Sequence, residues 1–412
     1  MMQDMLSGLS IIEASSFVAS PTAGLYCAQM GADVVRVDQI GGGPDFTRYH
    51  VTKEGHSLAW ENLNRGKRSV ALDLRSGEGR ELLVELARAT GQLITNFPLN
   101  SFLSHDAVAK SDAGMITLRI MGWADGSQAM DFTVNAAVGY PYLTGKKDQD
   151  GREHPVNHAL PAWDLLTGAY SAFALLAALR KREAGGGGGE IRVPLGDVAI
   201  GTVGMLGGIA EVLYQQGDRD RQGNDIWGAW GRDFTTRDGE RIMLAALTSK
   251  QWKAIVSVLD IAAEVAEIEA KHGVQFAPSD HNRYIHRDEL FALVEPRIAA
   301  RDSADVLAAL EAAGATFSRY RTPYEAARDP QLVGDNPLFG ASPPNPSGFD
   351  YPANGAFANL AGETREPPAA APRNGQHTEQ VLAERLGLSS GVIGDLIDRN
   401  IAHDASQTKD PT

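Results

Sequence analysis

An aspartate, Asp164, stands at the start of a strongly apolar segment in the run VNHALPAWDLLTG, three residues after Pro161. An aspartate at a helix start often caps the first backbone N–H groups. Its apolar neighbours Trp163 and Leu165 suggest a second role, because partial loss of water makes a carboxylate a stronger nucleophile while the helix dipole keeps it ionised. Asp164 is therefore predicted either to cap a helix or to attack an activated acyl group.

Basic residues cluster in NLNRGKRSVALDL (62–74), where Arg65, Lys67 and Arg68 come just before a run of strand-forming residues. The chain as a whole is acidic, with a net charge of −14 from 38 basic and 52 acidic residues. That balance argues against nucleic acid and anionic membrane surfaces as partners. Within it, a local basic cluster is either a solvated surface or a site that attracts the phosphates of a ligand.

Two nucleotide-binding patterns do not fit this chain. The turn after the first predicted strand reads SSFVASPTAG. It lacks G-x-G-x-x-G, and the bulk of Phe17 and Val18 would keep the backbone away from a pyrophosphate. The glycines at 185–189 are not followed by Lys-Ser/Thr, and they precede a predicted strand, unlike a P-loop. Neither a nicotinamide enzyme nor a P-loop enzyme is predicted.

The histidines predict no metal site. His154 and His158 are separated by Pro155, which breaks a shared helical face. His281 and His286 have no third ligand beside them in the sequence. The metal prediction is therefore none.

The single cysteine, Cys27, excludes an internal disulfide and lies among apolar neighbours, which favours a packing role. The N-terminus lacks the basic and apolar regions of a secretory signal. No apolar run reaches the roughly 18–20 residues that a membrane helix needs, and the run around 169–179 is interpreted as a buried helix. These observations predict a cytoplasmic protein without a membrane partner.

Strand and helix patterns alternate through the first half, with strands predicted near 10–13, 32–38, 69–74, 92–97 and 115–120. Such alternation predicts an α/β fold with a mostly parallel sheet covered on both faces. A length of 412 residues exceeds one ordinary core. We expect a large domain over 1–224, a small α+β domain over 225–325 that opens with a hairpin at Asp238-Gly239, and a linker and C-terminal segment over 326–412. That last part is predicted to be extended from Gly334 to about Arg373 and to form a final helix near 378–386.

Several segments together resemble family III CoA-transferases, in order along nearly the whole chain. They include LSGLSIIEASSFVASPTAGLYCAQMGADVVRVD, NRGKRSVALDL, WDLLTGAYSAFALLAALRKREAGGGGGE and APRNGQHTEQVLAERLGL. The resemblance implies a Rossmann-like large domain, a smaller α+β domain, and a C-terminal segment that returns to the large domain. It also implies an interlocked homodimer of two ring-like subunits.

The resemblance implies that Asp164 is the catalytic nucleophile. Lys67 and Arg68 are similar to residues that contact the phosphates of coenzyme A, Asn96 and Phe97 to residues of its pocket, and Gly122 to the segment lining the acyl site. Gln39 departs from the family pattern, which has a basic residue at that position, and this puts one coenzyme A contact in doubt. No cofactor is implied, because coenzyme A arrives as part of the substrate.

The segments DFTVNAAVGYPYLTG and VNHALPAWD resemble one branch of the family, from autotrophic 3-hydroxypropionate metabolism. That branch implies transfer of coenzyme A between the two carboxyl groups of one branched, unsaturated C4 diacid. The alternatives are transfer to a separate carboxylate, racemisation of an acyl-CoA, and coenzyme A binding without catalysis. Racemases of the family carry a histidine where this chain has Met130, which makes racemisation the weaker alternative.

Overall fold

The structure is a computed structural model that describes residues 4–48, 50–110, 112–145, 154–341 and 344–405. The chain forms two compact units. The large unit comprises the described residues up to Val138, Ala159–Glu211, and the described residues from Asp329 onward. The second unit comprises the described part of Gly139–His158 together with Val212–Arg328. The sequence-based boundaries did not place residues 139–158 with the smaller unit.

A seven-stranded sheet organises the large unit, with strand order β12-β3-β2-β1-β4-β5-β6. All neighbours are parallel except β12, which runs antiparallel to β3. The strands, numbered along the chain, are β1 (Ser10–Ala14), β2 (Asp33–Gln39), β3 (Arg68–Leu72), β4 (Gln92–Thr95), β5 (Ile116–Met121), β6 (Gly189–Pro194) and β12 (Ala402–His403). The predicted α/β class is confirmed, and β3-β2-β1-β4-β5-β6 is the order of Rossmann folds.

Helices alternate with these strands along the chain, and several of them cover the two faces of the sheet. They are α1 (Ala19–Gln29), α2 (Leu58–Leu63), α3 (Gly77–Thr90), α4 (His105–Ala109), α5 (Asp131–Ala137), α6 (Ala162–Glu183), α7 (Leu195–Met205), α8 (Gly208–Gln215), α15 (Thr378–Leu386) and α16 (Ser390–Asp398). Local capping residues set both ends of α3. At its start the Ser76 hydroxyl accepts the Gly79 N–H, and at its end Gly91 terminates the helix with a φ of 78°.

Alternate residues of the strands enter two separate cores, as expected for a sheet covered on both faces. Ile12, Val35 and Val70 face α3, α15 and α16. Ile11 and Val34, their direct neighbours in sequence, face α1 and α6. The C-terminal helices thus complete one layer of the large unit, which explains why the chain returns to the sheet and adds β12 beside β3.

Helix α6 is less buried than the sequence suggested. By length and apolar composition it could cross a membrane, and less than half of its apolar stretch is buried. Helices α7 and α8 pass the same test only if they are taken together across a 64° bend. Core helices of globular proteins share these properties, and α6 packs along α1 in the large unit.

The second unit is a three-stranded antiparallel sheet packed with helices. Its elements are β7 (Trp230–Thr235), β8 (Arg241–Ala246), α9 (Ser249–Leu259), α10 (Ala262–His272), α11 (Asp280–Ile285), α12 (Arg287–Ala299), α13 (Ser303–Ala312), β9 (Thr316–Arg319) and α14 (Pro323–Arg328). The predicted hairpin is present between β7 and β8, with Gly239 at a φ of 85°. Trp230, Trp252, Phe276 and Phe291 form the buried aromatic centre of this unit.

The remaining regular elements are short. They are a 3₁₀ turn (Tyr140–Tyr142), a π turn (Pro330–Gly334), and the two-residue strands β10 (Phe339–Gly340) and β11 (Ala353–Asn354).

Candidate active site

The strand order changes direction between β1 and β4, which places a crevice at the carboxyl ends of these two strands. In open α/β sheets ligands bind at such a point. Asn96 follows β4 and joins the two strand ends: its Nδ2 donates to the Ser16 carbonyl at 3.0 Å, and its Oδ1 accepts the Ser16 N–H at 3.2 Å. The predicted pocket residue Asn96 therefore lies at the crevice and fixes the turn that leaves β1.

That turn holds Phe17 in a left-handed conformation, with a φ of 71°. Such a conformation is uncommon for a bulky residue and persists only when the surroundings enforce it. The Phe17 N–H donates to Asp45 Oδ2 at 3.2 Å, and the Arg48 guanidinium lies 4.9 Å from the centre of the Phe17 ring. The strained turn thus presents an aromatic ring and a cation at the carboxyl edge of the sheet.

Asp164 lies at the same edge because α6 runs antiparallel to the strands. At the far end of α6, Arg182 Nη1 donates to the carbonyls of Gly91 and Gly114, which precede β4 and β5. At its near end, a Cβ on Gly168 would lie 2.6 Å from the Ala19 carbonyl oxygen at the start of α1. Only glycine permits this approach, which places the beginning of α6 beside the turn that leaves β1.

Asp164 does not cap α6, so the capping interpretation is wrong. It is the third residue of the helix, after Pro161 as the capping position, and its own N–H donates to Asp131 Oδ2 at 3.0 Å. Among the described residues no hydrogen bond reaches the Asp164 carboxylate. The buried Asp131, at the start of α5, supplies the acceptor that the helix start needs and leaves the Asp164 side chain available.

The surroundings make Asp164 unusually basic for a carboxylate. Burial, and next to it the negative charge of Asp131, raise the pKa of Asp164 to about 7. The neighbouring Trp163 is fixed by a hydrogen bond of 3.0 Å from its indole Nε1 to Asn135 Oδ1 on α5. A half-buried, basic carboxylate that receives no hydrogen bond from the described part of the chain fits nucleophilic attack on an activated carbonyl.

Lys67 does not lie where a phosphate could reach it. Its Nζ is buried and donates to Glu13 Oε2 at 2.8 Å, to the Pro21 carbonyl at 2.9 Å and to Asn64 Oδ1 at 2.9 Å. An ammonium group has three protons, and all three are used. The expected phosphate contact of Lys67 is therefore not available in this structure.

Arg68 lies at the opposite edge of the sheet from Asn96, because it is the first residue of β3. Its guanidinium is paired with Asp33 and with Glu384, at 2.5 and 2.6 Å. Arg385 also pairs with Asp33. The structure therefore does not bring Arg68 together with Asn96, Phe97 or Asp164.

Phe97 follows Asn96 into the loop after β4, which Arg119 holds in place. Arg119 is buried and donates to the carbonyls of Phe97 and Leu103, at 2.6 and 2.7 Å. The Phe97 ring meets Phe102 edge to face, at 5.6 Å between centres. Arg80, at the start of α3, lies 5.5 Å from the Phe102 ring. An aromatic surface with an exposed cation beside it therefore borders the crevice.

Gly122 follows β5 at the same edge, yet its lack of a side chain has a packing reason. A Cβ there would lie 2.4 Å from the Ala129 nitrogen and 2.6 Å from the Ser127 carbonyl oxygen. Its own carbonyl accepts the Gly196 N–H at 3.0 Å. Gly122 thus closes a tight turn beside the crevice, and a role in lining the acyl site stays a prediction.

The sequence interpretation missed Arg75 and Arg80, which lie at the carboxyl edge where Lys67 and Arg68 do not. Arg75 comes just after β3 and its side chain is 84% exposed; among the described residues its ion pair is with Asp73, at 3.0 Å. Arg80 is in the first turn of α3, whose N-terminus adds a positive dipole to this edge. The sequence feature that indicates this location is their position after β3, because the carboxyl ends of parallel strands meet at one edge of the sheet.

Comparison with known proteins connects this site to a family. The family model for CoA-transferase family III matches residues 6–378. A protein of Chloroflexus aurantiacus called 2-methylfumaryl-CoA isomerase is 42% identical, over 97% of this chain and 98% of that protein. Human succinyl-CoA:glutarate CoA-transferase is 22% identical, over 96% and 89%.

A solved structure shares the fold. The crystal structure of a CAIB/BAIF family protein from Brucella suis aligns with a TM-score of 0.74 and 24% identity, covering 92% of this chain and 98% of that one. With the crevice, the basic carboxylate and the match over most of the sequence, the expectation from the motifs is confirmed: this chain belongs to CoA-transferase family III.

Proposed function

We propose that this enzyme converts 2-methylfumaryl-CoA (mesaconyl-C1-CoA) into 3-methylfumaryl-CoA (mesaconyl-C4-CoA) by moving coenzyme A between the two carboxyl groups of one diacid. The observation that carries the proposal is the Asp164 carboxylate at the carboxyl edge of the sheet, which is half-buried and basic and receives no hydrogen bond from any residue that the structure describes. The narrower substrate follows from similarity to the Chloroflexus aurantiacus protein of that name.

In the first half-reaction an Asp164 oxygen attacks the thioester carbonyl and the C–S bond breaks. Coenzyme A leaves as a thiolate, and a mixed anhydride joins Asp164 to the diacid. The thiolate then attacks the aspartyl carbonyl, which releases the diacid as a free carboxylate and leaves an enzyme–CoA thioester. No proton is transferred in these steps, so an ionised Asp164 is sufficient to begin them.

In the second half-reaction the other carboxylate of the retained diacid attacks the aspartyl thioester. The C–S bond of the aspartyl thioester breaks, which releases the coenzyme A thiolate and forms a second anhydride. The thiolate then attacks the diacid carbonyl of this anhydride, which gives the isomeric thioester and restores the Asp164 carboxylate. Each addition develops an oxyanion, and losing one backbone donor to such a charge typically costs ~3–4 kcal/mol. Retention of the diacid between the halves keeps the second attack intramolecular.

We assign the coenzyme A contacts to the carboxyl edge. Its phosphates would meet Arg75 and Arg80 near the N-terminus of α3, and its pantetheine arm would pass Asn96 and the Phe97 ring. Exposure of both arginines supports this arrangement. The interior position of Lys67 explains why it is left out.

Transfer to a separate carboxylate is the second candidate, because other relatives carry names such as succinyl-CoA:glutarate CoA-transferase. An isotope experiment separates the two. The enzyme is incubated with mesaconyl-C1-CoA and an excess of labelled free mesaconate, and the thioesters are resolved by chromatography and mass. Unlabelled C4 thioester supports the intramolecular reaction, label in the thioester supports the second candidate, and no product contradicts the mesaconyl substrate.

We also propose that the protein forms an interlocked homodimer. Leu166, Tyr170 and Phe173 recur at four- and three-residue spacing on α6, so they share a face, and their exposed fractions are 39, 53 and 65%. Exposed apolar side chains in a row are typical of a protein interface. Sedimentation should give a dimer for the natural chain and a smaller species for Phe173→Glu; a monomeric natural chain would contradict the proposal.

A further inference from the structure

We propose that the second unit holds a binding site for a divalent first-row transition metal, represented by Zn²⁺, formed by His272, His286 and Glu289. One ligand atom from each of the three residues lies within 4.8 Å of the others. This group, the His₂Glu cluster, takes no part in the proposed transfer of coenzyme A. Metal binding at this cluster can therefore be tested independently of the enzyme's substrate.

Three helices bring the His₂Glu cluster together. His272 is the last residue of α10, and His286 joins α11 to α12. Glu289 lies three residues after His286 in the first turn of α12, a spacing that directs both side chains to one side. In the sequence His286 is near His281, and the pair has no third ligand beside it. The fold places His272 beside His286, and Glu289 completes the group of three.

The three side chains of the cluster already lie close to one another. His272 Nε2 lies 2.8 Å from Glu289 Oε1, and the imidazole rings of His272 and His286 lie 4.1 Å apart between centres, tilted by 31°. The buried Phe276 lies against the His286 ring at 5.9 Å and limits its motion. Within the described ranges no hydrogen bond is formed by the ring nitrogens of His286, so they are available to an ion.

The donor set selects the kind of ion. Two imidazoles and one carboxylate are the protein ligands of many zinc sites that keep a fourth position for water, and they also suit other first-row divalent ions. All three residues are partly exposed, which leaves room for an ion to enter and for water to complete its shell. Calcium and magnesium prefer oxygen ligands and are not expected to bind.

One neighbouring charge opposes the ion and offers a specific test. Lys271 Nζ lies 2.8 Å from Glu289 Oε2, and it shares the carboxylate that the metal would need. Replacing Lys271 by methionine removes this competing cation and leaves all three ligands in place. A bound ion would join the end of α10 to the start of α12, and would stabilise the second unit by binding only the folded chain.

The test is a calorimetric titration of ZnCl₂ into the full-length, tag-free protein after removal of metals by a chelator. We expect one equivalent to bind to the natural chain. His286→Ala and Glu289→Gln should each weaken binding by about tenfold or more, the usual scale for disturbing a metal site. His281→Ala, an exposed histidine outside the cluster, is the matched control and should bind as the natural chain does.

Two further measurements test the metal site if a variant of one of its ligands folds poorly. Lys271→Met should bind Zn²⁺ more tightly than the natural chain, and added Zn²⁺ should raise the Tm of the natural chain and of His281→Ala. Circular dichroism checks that each variant is folded. Binding well below one equivalent, equal affinity of a folded His286→Ala variant, or weaker binding by Lys271→Met would overturn the proposal.

Discussion

The two edges of the parallel sheet carry similar residues but use them differently. At the amino edge, the carboxylate of Asp33 accepts hydrogen bonds from Arg68 and Arg385, and Glu384 completes the group. At the carboxyl edge, Asp164 receives no hydrogen bond among the described residues and has the carboxylate of Asp131 beside its backbone. Charges at the amino edge are paired with one another, whereas the Asp164 carboxylate at the carboxyl edge has no such partner among the described residues and is available to react.

Replacing Asp164 should have the largest effect on activity. Asp164→Asn keeps the size of the side chain but cannot form the anhydride, so turnover should fall by at least ~10³-fold, as for loss of other nucleophiles. The measurement is the rate of coenzyme A transfer at saturating acyl-CoA. Arg68→Met at the amino edge is the control, and a similar loss there would remove the distinction between the edges.

The same Asp164 variant should be more stable than the natural chain at high pH. Burial and Asp131 raise the pKa of Asp164 to about 7, so the folded state holds a proton that the unfolded state has released. The free energy of unfolding of the natural chain therefore falls relative to that of Asp164→Asn as the pH rises from the ordinary pKa of an aspartate to about 7. Urea unfolding at pH 8 should show a gain of about 2 kcal/mol for the variant, and little at pH 4.

Replacing Lys67 should change stability more than binding. Lys67→Met leaves the buried carboxylate of Glu13 without its ammonium partner, which typically costs about 3–5 kcal/mol. Arg68→Met removes a partly exposed pair and should cost about 1 kcal/mol or less. Denaturant titrations of both variants measure this difference. A folded Lys67→Met with unchanged stability and a raised KM for acyl-CoA would restore the phosphate role.

Arg75 should matter for coenzyme A binding without affecting the fold. Its side chain is 84% exposed and its one described ion pair is with Asp73. Loss of a charged contact to phosphate should raise the KM for acyl-CoA by about tenfold in Arg75→Ala, with unchanged stability. Arg68→Ala is the matched control from the amino edge and should leave KM unchanged. Equal KM values for the two variants would contradict the assignment of phosphates to the carboxyl edge.

The smallest expected effect is a displaced pH profile. Asp131→Asn keeps an oxygen that can accept the Asp164 N–H but removes the negative charge that helps to raise the pKa of Asp164. The acidic limb of the rate profile, expected near pH 7, should move to lower pH. The midpoint of this limb should remain above the ordinary pKa of an aspartate, because burial is the larger cause of the raised pKa and the substitution does not change it. An unmoved limb would exclude Asp131 from tuning the nucleophile.

The sequence predicted the parallel sheet well because β-branched runs, Ser76 and Gly91 carry local signals for strands and helix ends. It also identified Asp164 and Asn96, which occupy the expected edge. Lys67 lies in the interior just before β3, and Arg68 begins β3 at the amino edge, whereas Arg75 follows the strand. A role of Lys67 and Arg68 in binding coenzyme A stays a prediction. Which basic residue is buried depends on long-range partners such as Glu13 and Glu384, which local patterns do not reveal.

Intact-mass analysis of the enzyme mixed with its acyl-CoA tests the central claim most directly. A short incubation followed by acid quenching and peptide mapping would locate any covalent intermediate. We expect an adduct of coenzyme A on the peptide that contains Asp164, sensitive to hydroxylamine and absent from Asp164→Asn. Turnover with an adduct on another residue, or with the same adduct formed by Asp164→Asn, would contradict Asp164 as the nucleophile.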